Sequence, residues 1–229
     1  MSNAAGLRKA VVLVSGGLDS ATALYFAKKK GFSCHCLVFD YGQRHVREIN
    51  AARNVARRAG CPVTILKISL PWKGSSLIDR RRPIPGAAQP QGRVVRAIPD
   101  TYVPARNIIF LSFALSYAEA IGARAIFIGA NSIDYSGYPD CRPRFYRAFG
   151  AVIAQGTRAG VEKKSIKVYT PLLELTKEQI IKLGTLLGVP YELTWSCYKG
   201  GGKPCGVCDS CRLRAKGFRQ AGMEDPSLR

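Results

Sequence analysis

Short apolar runs alternate with longer amphipathic stretches along most of the chain. The run AVVLVS at 10–15, rich in β-branched residues and followed by glycine, is typical of a buried strand. Similar runs predict strands at 34–39, 63–68, 123–130 and 166–169, and amphipathic stretches predict helices at 19–30, 43–59, 107–121, 145–156 and 177–187, the last with Thr176 as its N-cap. Because strands that alternate with helices of this length pair in parallel, we expect an α/β fold with a doubly wound, mostly parallel sheet.

The pattern breaks between residues 71 and 106, where prolines, glycines and arginines dominate. A loop of this length inside a compact domain is either functional or disordered, and the functional version would be an active-site lid. In the helix predicted after it, the apolar run 108–115 belongs either to the core or to an interface, with the core as the simpler expectation. The sequence is therefore also compatible with a homodimer.

Composition narrows the class of protein but selects no partner. The 229 residues, 47% hydrophobic and 22% charged, suffice for one core with at most a small appendage. The net charge of +20 attracts polyanions and fits RNA and ATP equally well, although any single basic residue could simply solvate a helix face. No apolar run approaches the ~20 residues of a membrane span, and no signal-peptide layout begins the chain, so we expect a cytoplasmic protein without membrane contact.

One loop carries candidate chemistry, and it consists of Ser15, Gly16, Gly17, Leu18, Asp19 and Ser20. It joins the first strand to the first helix, where backbone N–H groups and the positive helix end attract an anion, and its glycines let phosphate approach the backbone. The hydroxyls of Ser15 and Ser20 add donors, and Asp19 is suited to holding Mg²⁺ or capping the helix. The loop lacks the lysine of the Walker pattern. A plain glycine turn is the alternative, but its position at the carboxyl end of a parallel strand favours an ATP site.

Four of the eight cysteines form a second candidate site with the spacing Cys-x7-Cys-x2-Cys-x2-Cys, and they are Cys197, Cys205, Cys208 and Cys211. Four thiolates can close a tetrahedron around one Zn²⁺, whereas disulfides are not expected in the cytosol. An iron–sulfur cluster and unligated cysteines in a flexible tail are the alternatives. Since four thiolates leave no open position, a zinc ion here would be structural. The neighbouring Trp195, Tyr198 and Lys199 could face a ligand.

The string SGGLDS resembles the PP-loop of the ATP pyrophosphatase superfamily, whose members cleave ATP between the α and β phosphates and adenylate a carboxylate or carbonyl oxygen. Further strings resemble one family in it, the 7-cyano-7-deazaguanine synthases of queuosine-precursor biosynthesis. These strings are FDYGQRH from Phe39, TYVPARN from Thr101, DYSGYPDCRP from Asp134, PLLELTK from Pro171 and TWSCYKGGGKPCGVCDSCRLRAKGF from Thr194. The resemblance implies an adenine nucleotide α-hydrolase-like fold, with a PP-loop ATP-binding domain over 1–190 and a zinc-binding helical extension over 191–229 packed on it.

The resemblance also implies a reaction, in which 7-carboxy-7-deazaguanine and ammonia are converted with ATP into the nitrile. The carboxylate would be adenylated, ammonia would displace AMP to give an amide, and a second activation of the amide oxygen would allow dehydration. The order of these steps and the choice between AMP and ADP as product stay open at this point. The cofactors expected are ATP, Mg²⁺ and one structural Zn²⁺ per chain.

Residues that match the family's strings acquire expected roles. Phe39, Asp40 and Gly129 at strand ends are expected to meet the nucleotide, and Asp19, Lys177 and Arg106 are expected to take part in catalysis. The expected substrate contacts are Asn107, Asp134, Tyr135, Tyr138, Asp140 and Arg142. Lys177 could instead be an exposed first-turn lysine, and any of the last five could serve turn chemistry. The chain departs from the family at Arg144, where its string has an acidic residue, and in a longer basic segment near 80–96.

Two other functions fit parts of the sequence. A tRNA-modifying PP-loop enzyme of the thiolation or lysidine type would use the positive charge, but it would need an RNA-contacting domain or a persulfide cysteine pair, and neither is clear in the sequence. A non-catalytic nucleotide-binding module with a zinc knuckle would show no turnover. We therefore expect a small-molecule substrate and no nucleic-acid partner.

Overall fold

The computed structural model describes residues 8–43, 47–72, 74–79, 81–84, 98–133 and 137–228. Its strands are β1 (Arg8–Leu13), β2 (Phe32–Asp40), β3 (Val63–Lys67), β4 (Ala125–Ile128) and β5 (Lys167–Tyr169). Its α-helices are α1 (Leu18–Lys29), α2 (Arg47–Arg58), α3 (Arg106–Ala120), α4 (Pro143–Gly156), α5 (Arg158–Val161), α6 (Lys177–Leu186) and α7 (Asp209–Ala221). Short 3-10 turns lie at Pro139–Cys141, Tyr191–Leu193 and Pro226–Leu228.

The strands form one sheet in the order β3-β2-β1-β4-β5, and each pairing between neighbouring described strands is parallel. The chain runs outward from β1 to β3 and then returns through α3 to β4, on the other side of β1. The carboxyl ends of β1 and β4 therefore flank a switch point, which is where open parallel sheets bind ligands. The doubly wound sheet predicted from the sequence is confirmed.

Helices cover both faces of the sheet, which explains the unbroken apolar run in β1. Successive side chains of a strand point to opposite faces. Val12 lies in the core beneath α1, α2, α6 and α7, whereas Val11 lies in the core beneath α3 and α4. Because both faces are buried, residues 10–14 are all buried and the strand has no polar side.

All of the predicted strands and helices are present, with ends that differ by up to four residues. The predicted N-cap is confirmed: the Thr176 hydroxyl accepts the Gln179 N–H, and the Gln179 side chain accepts the Thr176 N–H in return. The sequence did not predict α5, because four residues are too few to show a helical period.

The long segment between β3 and α3 is folded where the structure describes it. The Ser76 N–H donates to the Asp100 carbonyl oxygen at 2.9 Å, which joins the two ends of the segment. Ser75 and Ser76 are both buried, and Ile84 packs against the cysteine cluster. The central residues 85–97 lie outside the described part of the chain, so the expected lid stays a prediction.

The apolar run at 108–115 is only partly core. Leu111 and Ala114 are fully buried in the core, whereas Ile108 and Phe113 are 43% and 40% exposed, so for these two residues an interface stays a prediction. None of the helices in the described residues combines the length and apolar character that crossing a membrane requires.

The C-terminal part is held together internally by a buried ion pair. Arg214 of α7 contacts Asp225 through two hydrogen bonds of 2.6 and 2.8 Å, and it also donates to the hydroxyl of Thr194 at 2.7 Å. Both partners of the ion pair are buried, at 7% and 6% side-chain exposure. Burial acts to raise the pKa of Asp225, but the Arg214 guanidinium more than offsets it, so the net shift is downward.

Candidate active site

An open cavity lies at the switch point, over the carboxyl ends of β1, β2 and β4. Among the residues predicted for the site, the structure brings together Ser15, Gly17, Leu18, Asp19, Ser20, Phe39, Arg106, Asn107, Gly129, Tyr138 and Lys177 in its walls. Gly16, Asp40, Asp140 and Arg142 do not line it. Asp134 and Tyr135 lie outside the described residues, so their expected substrate contacts stay predictions.

The loop 15–20 is closed by its own hydroxyl groups. Ser20 Oγ donates to the Gly17 carbonyl oxygen at 3.0 Å and accepts the Ser15 N–H at 3.2 Å and the Ser15 hydroxyl at 3.1 Å. These bonds turn the Ser20 hydroxyl inward, so it shapes the loop instead of reaching outward as a donor. Gly17 caps α1 without any side-chain hydrogen bond, which leaves first-turn N–H groups of α1 to face an anion.

Gly16 is required by packing as well as by backbone conformation. Its φ of +83° lies in the left-handed region, and an added Cβ would come within 2.4 Å of the Glu48 carbonyl oxygen and 2.7 Å of the Ala52 nitrogen. The loop thus sits directly on α2, a reason for glycine that differs from the expected approach of phosphate. The Gly16 carbonyl oxygen accepts the Trp195 N–H at 2.9 Å, so the C-terminal part holds the loop from the other side.

A buried ion pair joins the loop to α6 inside the cavity. Lys177 Nζ lies 2.7 and 2.8 Å from the two carboxylate oxygens of Asp19, and the two side chains are 8% and 19% exposed. Lys177 is therefore not the exposed first-turn lysine of the alternative interpretation. Asp19 does not cap α1, and the Lys177 ammonium stands where Mg²⁺ was expected at this carboxylate.

The ends of β2 and β4 border the same cavity. The Phe39 ring stacks on Phe110 with centroids 3.9 Å apart and planes 1° from parallel. An added Cβ on Gly129 would lie 2.7 Å from the Asp19 carbonyl oxygen, so only glycine lets β4 approach the loop this closely. Asp40, the last residue of β2, is only partly buried and does not line the cavity.

The start of α3 carries a guanidinium into the cavity. Arg106 Nη1 donates to the Tyr41 hydroxyl at 3.2 Å, and burial raises the pKa of Tyr41, so this phenol stays neutral. The preceding Ala105 has a φ of 55°, a left-handed conformation that is costly for a residue with a Cβ. This turn fixes the direction in which Arg106 enters the site.

Asp140 supports the site from behind its wall. Its Oδ2 accepts the Asn107 N–H at 3.2 Å, and its carbonyl oxygen accepts from Asn107 Nδ2 at 3.3 Å. Burial raises the pKa of Asp140, while the hydrogen bond from Asn107 acts to lower it. Tyr138, which does line the cavity, bonds the Thr101 hydroxyl. The structure therefore gives Asp140 contacts that position Asn107.

Arg144, the position at which the chain departs from the family's string, lies away from the cavity. Arg144 is exposed in the first turn of α4, and Arg142 is the residue that precedes this helix. Neither residue lines the cavity. The missing acidic side chain therefore does not alter the described walls of the site.

Glu48 is a cavity residue that the sequence reasoning did not identify. It lies in the first turn of α2 and lines the cavity together with Arg106 and Tyr41. Burial raises the pKa of Glu48 to about 7, and the charge of Arg106 acts in the opposite direction. The signal available in the sequence was its place after the carboxyl end of β2, at the start of the next helix.

The four C-terminal cysteines come together as predicted. Their sulfur atoms all lie within 4.8 Å of one another, and the Sγ atoms of Cys205 and Cys211 are 4.0 Å apart. Backbone N–H groups of Lys199 and Cys205 donate to Cys197 Sγ at 3.4 and 3.3 Å, which stabilises a thiolate. Four sulfur atoms this close together fit a single tetrahedral ion. The several irons of an iron–sulfur cluster would hold the four sulfur atoms further apart. The group could therefore bind a metal ion.

Trp195 connects the cysteine cluster to the loop. Its indole N–H donates to the Cys197 carbonyl oxygen at 2.9 Å, and its ring lines the cavity below the Arg47 guanidinium at 4.8 Å. Tyr198 also lines the cavity, as expected, whereas Lys199 is exposed and does not. The cluster thus lies one residue away from a wall of the site.

Comparisons with known proteins identify the relatives of this chain. Residues 9–222 match the family described as queuosine biosynthesis protein QueC. The chain is 50% identical over 222 residues to the 7-cyano-7-deazaguanine synthase of Trichodesmium erythraeum, a match that covers 96% of this chain and 100% of that protein. It is 52% identical over 219 residues to the enzyme of the same name from Thermoplasma acidophilum, covering 96% of this chain and 91% of that protein. The NMN synthetase of Francisella tularensis is similar in fold, with a TM-score of 0.50 and 15% identity over 97% of this chain and 80% of that one.

Proposed function

Because the chain belongs to the family of queuosine biosynthesis protein QueC, we propose that it is an ATP-dependent ligase that converts 7-carboxy-7-deazaguanine and ammonia into 7-cyano-7-deazaguanine. The observation that carries this function is the shared cavity: the loop 15–20 and the Asp19–Lys177 pair open on the same space as Arg106 and Asn107. A phosphate-binding loop and a carboxylate-binding guanidinium in one cavity are what the activation of a carboxylate by ATP requires.

ATP is a substrate in this proposal, and the chain's own residues orient it. The first-turn N–H groups of α1 face its phosphates, and Phe39 and Gly129 border the adenosine. Lys177 stabilises the charge that develops on the α phosphate and the leaving pyrophosphate, held in place by Asp19. The carboxylate oxygen of the substrate attacks the α phosphate, and ammonia then displaces AMP from the acyl carbon.

The deazaguanine binds on the opposite wall of the cavity. Arg106 offers a guanidinium to the carboxylate, while Asn107 and Tyr138 offer polar edges to the purine-like ring. Asp134 and Tyr135 are proposed as further substrate contacts, and Asp140 and Arg142 contribute from outside the cavity wall. The amide formed in the first half stays in place, so its oxygen attacks the α phosphate of a second ATP and dehydration gives the nitrile.

The metal ions serve different purposes. The four cysteines hold one Zn²⁺ that links the segment 197–211 into a unit and takes no part in the chemistry. Mg²⁺ enters with ATP and balances the charge of its phosphates. The chain is then organised as an ATP-binding domain over 1–190 with a zinc-binding extension over 191–229, which is connected to the loop 15–20 by the hydrogen bond from Trp195 to Gly16.

Product analysis by mass spectrometry tests this function. With ATP, ammonium and the carboxylate present, we expect a product with the mass of the nitrile, and no product when any one of the three is omitted. ATP consumption that does not depend on the carboxylate would contradict the proposal. Tight tRNA binding with a steep salt dependence and a modified base would indicate a tRNA-modifying enzyme instead.

A further inference from the structure

The amide-forming half of the reaction needs a proton acceptor that the family resemblance does not supply. Near neutral pH, ammonia is present almost entirely as ammonium, which has no free electron pair for attack on an acyl carbon. A base in the cavity must therefore remove a proton where the activated acyl group is held. Among the described residues that line the cavity, the carboxylates are Asp19 and Glu48.

Asp19 is not available for this task. Both of its oxygens accept hydrogen bonds from Lys177 Nζ, at 2.7 and 2.8 Å. Asp19 could accept a proton from ammonium only by giving up one of these contacts. Glu48 differs from Asp19 in this respect, because no lysine among the described residues lies within contact distance of its carboxylate. It is therefore the carboxylate of the cavity that can act as a base.

Glu48 lines the cavity that the loop 15–20 and Arg106 share. The first turn of α2 packs so closely on the loop that a Cβ on Gly16 would lie 2.4 Å from the Glu48 carbonyl oxygen. The titratable groups that face the Glu48 side chain from neighbouring elements are Arg106, at the start of α3, and Tyr41, after β2. The carboxylate thus lines the same cavity as the loop 15–20 and lies within electrostatic reach of the guanidinium expected to hold the substrate carboxylate.

We propose that the Glu48 carboxylate is the general base that deprotonates ammonium for attack on the activated acyl group. This inference rests on the proposed function. Glu48 accepts one proton from ammonium, and the freed nitrogen electron pair forms the C–N bond. The C–O bond to AMP then breaks, AMP leaves with that electron pair, and the second proton passes from the new amide nitrogen to water.

The electrostatics of the cavity suit this role. Burial raises the pKa of Glu48 to about 7, and a general base is most effective when its pKa is close to the pH of the reaction, so the value suits neutral pH. A purely structural carboxylate in the first turn of a helix would be stabilised by the helix dipole and by a neighbouring cation, as Glu178 is in α6, where it pairs with Lys182 at 2.6 Å. Glu178 is therefore the matched control for Glu48.

The test compares two nucleophiles in Glu48→Gln, with Glu178→Gln as the control. Hydroxylamine is largely unprotonated at neutral pH and does not need a base to free its electron pair. For Glu48→Gln we expect ammonia-dependent amide formation to fall at least about 100-fold, while hydroxamate formation from hydroxylamine and ATP stays within a few-fold of the wild-type rate. Glu178→Gln should match the wild type with both nucleophiles.

Three results would overturn the inference. Unchanged ammonia turnover in Glu48→Gln would show that no base is needed at this position. Equal losses with ammonia and hydroxylamine would show that Glu48 supports activation or folding, and far-UV circular dichroism of the variant would separate the two. A Glu48→Gln variant that matches the wild-type ammonia rate at every pH would also overturn the inference, because the glutamine amide cannot act as a base. If the wild type consumes no ATP with the carboxylate and either nucleophile, the proposed function itself fails, which is a different outcome.

Discussion

At the scale of single residues, the site depends on a charge pair that links two distant parts of the sequence. Asp19 and Lys177 are 158 positions apart, yet the ammonium contacts both carboxylate oxygens. A buried pair of this kind contributes little net stability, but it fixes the direction of the lysine. Lys177 is thus held beside the loop 15–20 before any substrate arrives, which is the form of preorganisation that the proposed catalysis needs.

Replacing Lys177 by methionine should separate catalysis from folding. We expect ATP-dependent nitrile formation to fall by about 100- to 1000-fold, because the positive charge at the phosphates is lost. Lys182→Met is the matched control on the same helix, since Lys182 pairs with Glu178 at the surface. Steady-state rates of both variants provide the measurement, and a Lys177→Met enzyme with normal turnover would remove this residue from the mechanism.

Glu48 should make stability depend on pH in a predictable direction. Its pKa is raised to about 7 in the folded chain, whereas the unfolded value is near the ordinary 4.5. A raised pKa means that the folded chain binds more protons in this window, so the contribution to stability is present at low pH and is lost as the pH rises to about 7.

Glu48→Gln should therefore be more stable than the wild type at pH 8, on the order of 2 kcal/mol, with a much smaller difference at pH 5. Urea unfolding at the two pH values measures the effect. A variant that is less stable than the wild type at pH 8 would mean that the ionised carboxylate is stabilised by Arg106 more than burial penalises it.

The sequence predicted residues whose role can be inferred from their spacing along the chain. It did not predict residues whose role depends on packing against distant parts of the chain. The loop 15–20 and the four cysteines were recognisable because their members lie within short stretches of chain. Glu48 and Arg214 became visible only when α2 and α7 were placed against other elements. The left-handed Ala105 could not be predicted, since alanine carries no sequence signal for that conformation.

At the scale of secondary-structure elements, α7 shapes the active site by its close packing on α6. An added Cβ at Gly217 would lie 2.4 Å from Lys177 Cγ and 2.8 Å from Ile181 Cδ1. The absence of a side chain at this position therefore makes room for the stem of Lys177. The C-terminal helix thus influences the position of Lys177, the proposed catalytic lysine, which belongs to another helix.

Gly217→Ala should displace Lys177 and lower turnover by about 10-fold or more, because small misplacements of a catalytic group cost much of its effect. The added methyl should also lower the free energy of unfolding by about 1–3 kcal/mol through overpacking. Lys216→Ala, at the neighbouring exposed position, is the control for helix propensity. Rates and urea unfolding give both numbers, and unchanged values for Gly217→Ala would show that α6 and α7 can move apart freely.

The elements themselves were largely predictable. Strands buried on both faces read as unbroken apolar runs, and the helix starts carried capping signals such as Thr176 and Gln179. Strand ends were less predictable, because β1 begins with the charged Arg8 and Lys9, which pair with β2 although their side chains are exposed. Backbone hydrogen bonds to a neighbouring strand do not require apolar side chains, so the hydrophobic pattern of the sequence does not reveal them.

At the scale of the whole molecule, the cysteine cluster and the ATP loop form one connected structure. Trp195 contacts both, through its backbone N–H to Gly16 and its indole N–H to Cys197. Loss of a bound ion should therefore loosen the loop as well as the C-terminal part. The sequence predicted the cluster but not this connection, and the expected homodimer stays a prediction.

Cys208→Ser should release zinc, lower the melting temperature and weaken ATP binding, because metal binding is coupled to folding. Cys61→Ser is the control, since Cys61 is half-buried outside the cluster. Metal analysis, thermal unfolding and ATP titration of the two variants provide the measurements. A Cys208→Ser protein that has lost its zinc but binds ATP with unchanged affinity would contradict the connection through Trp195.

The central claim is that one cavity activates two different oxygen atoms at the α phosphate of ATP. The direct test uses 7-carboxy-7-deazaguanine with ¹⁸O in both carboxylate positions, followed by mass analysis of the nucleotide and phosphate products. Each oxygen leaves the substrate in one activation step, so we predict AMP carrying one ¹⁸O from each half of the reaction and unlabelled pyrophosphate. Label in orthophosphate, together with ADP, would contradict the account, because it would mean that the γ phosphate is the site of attack.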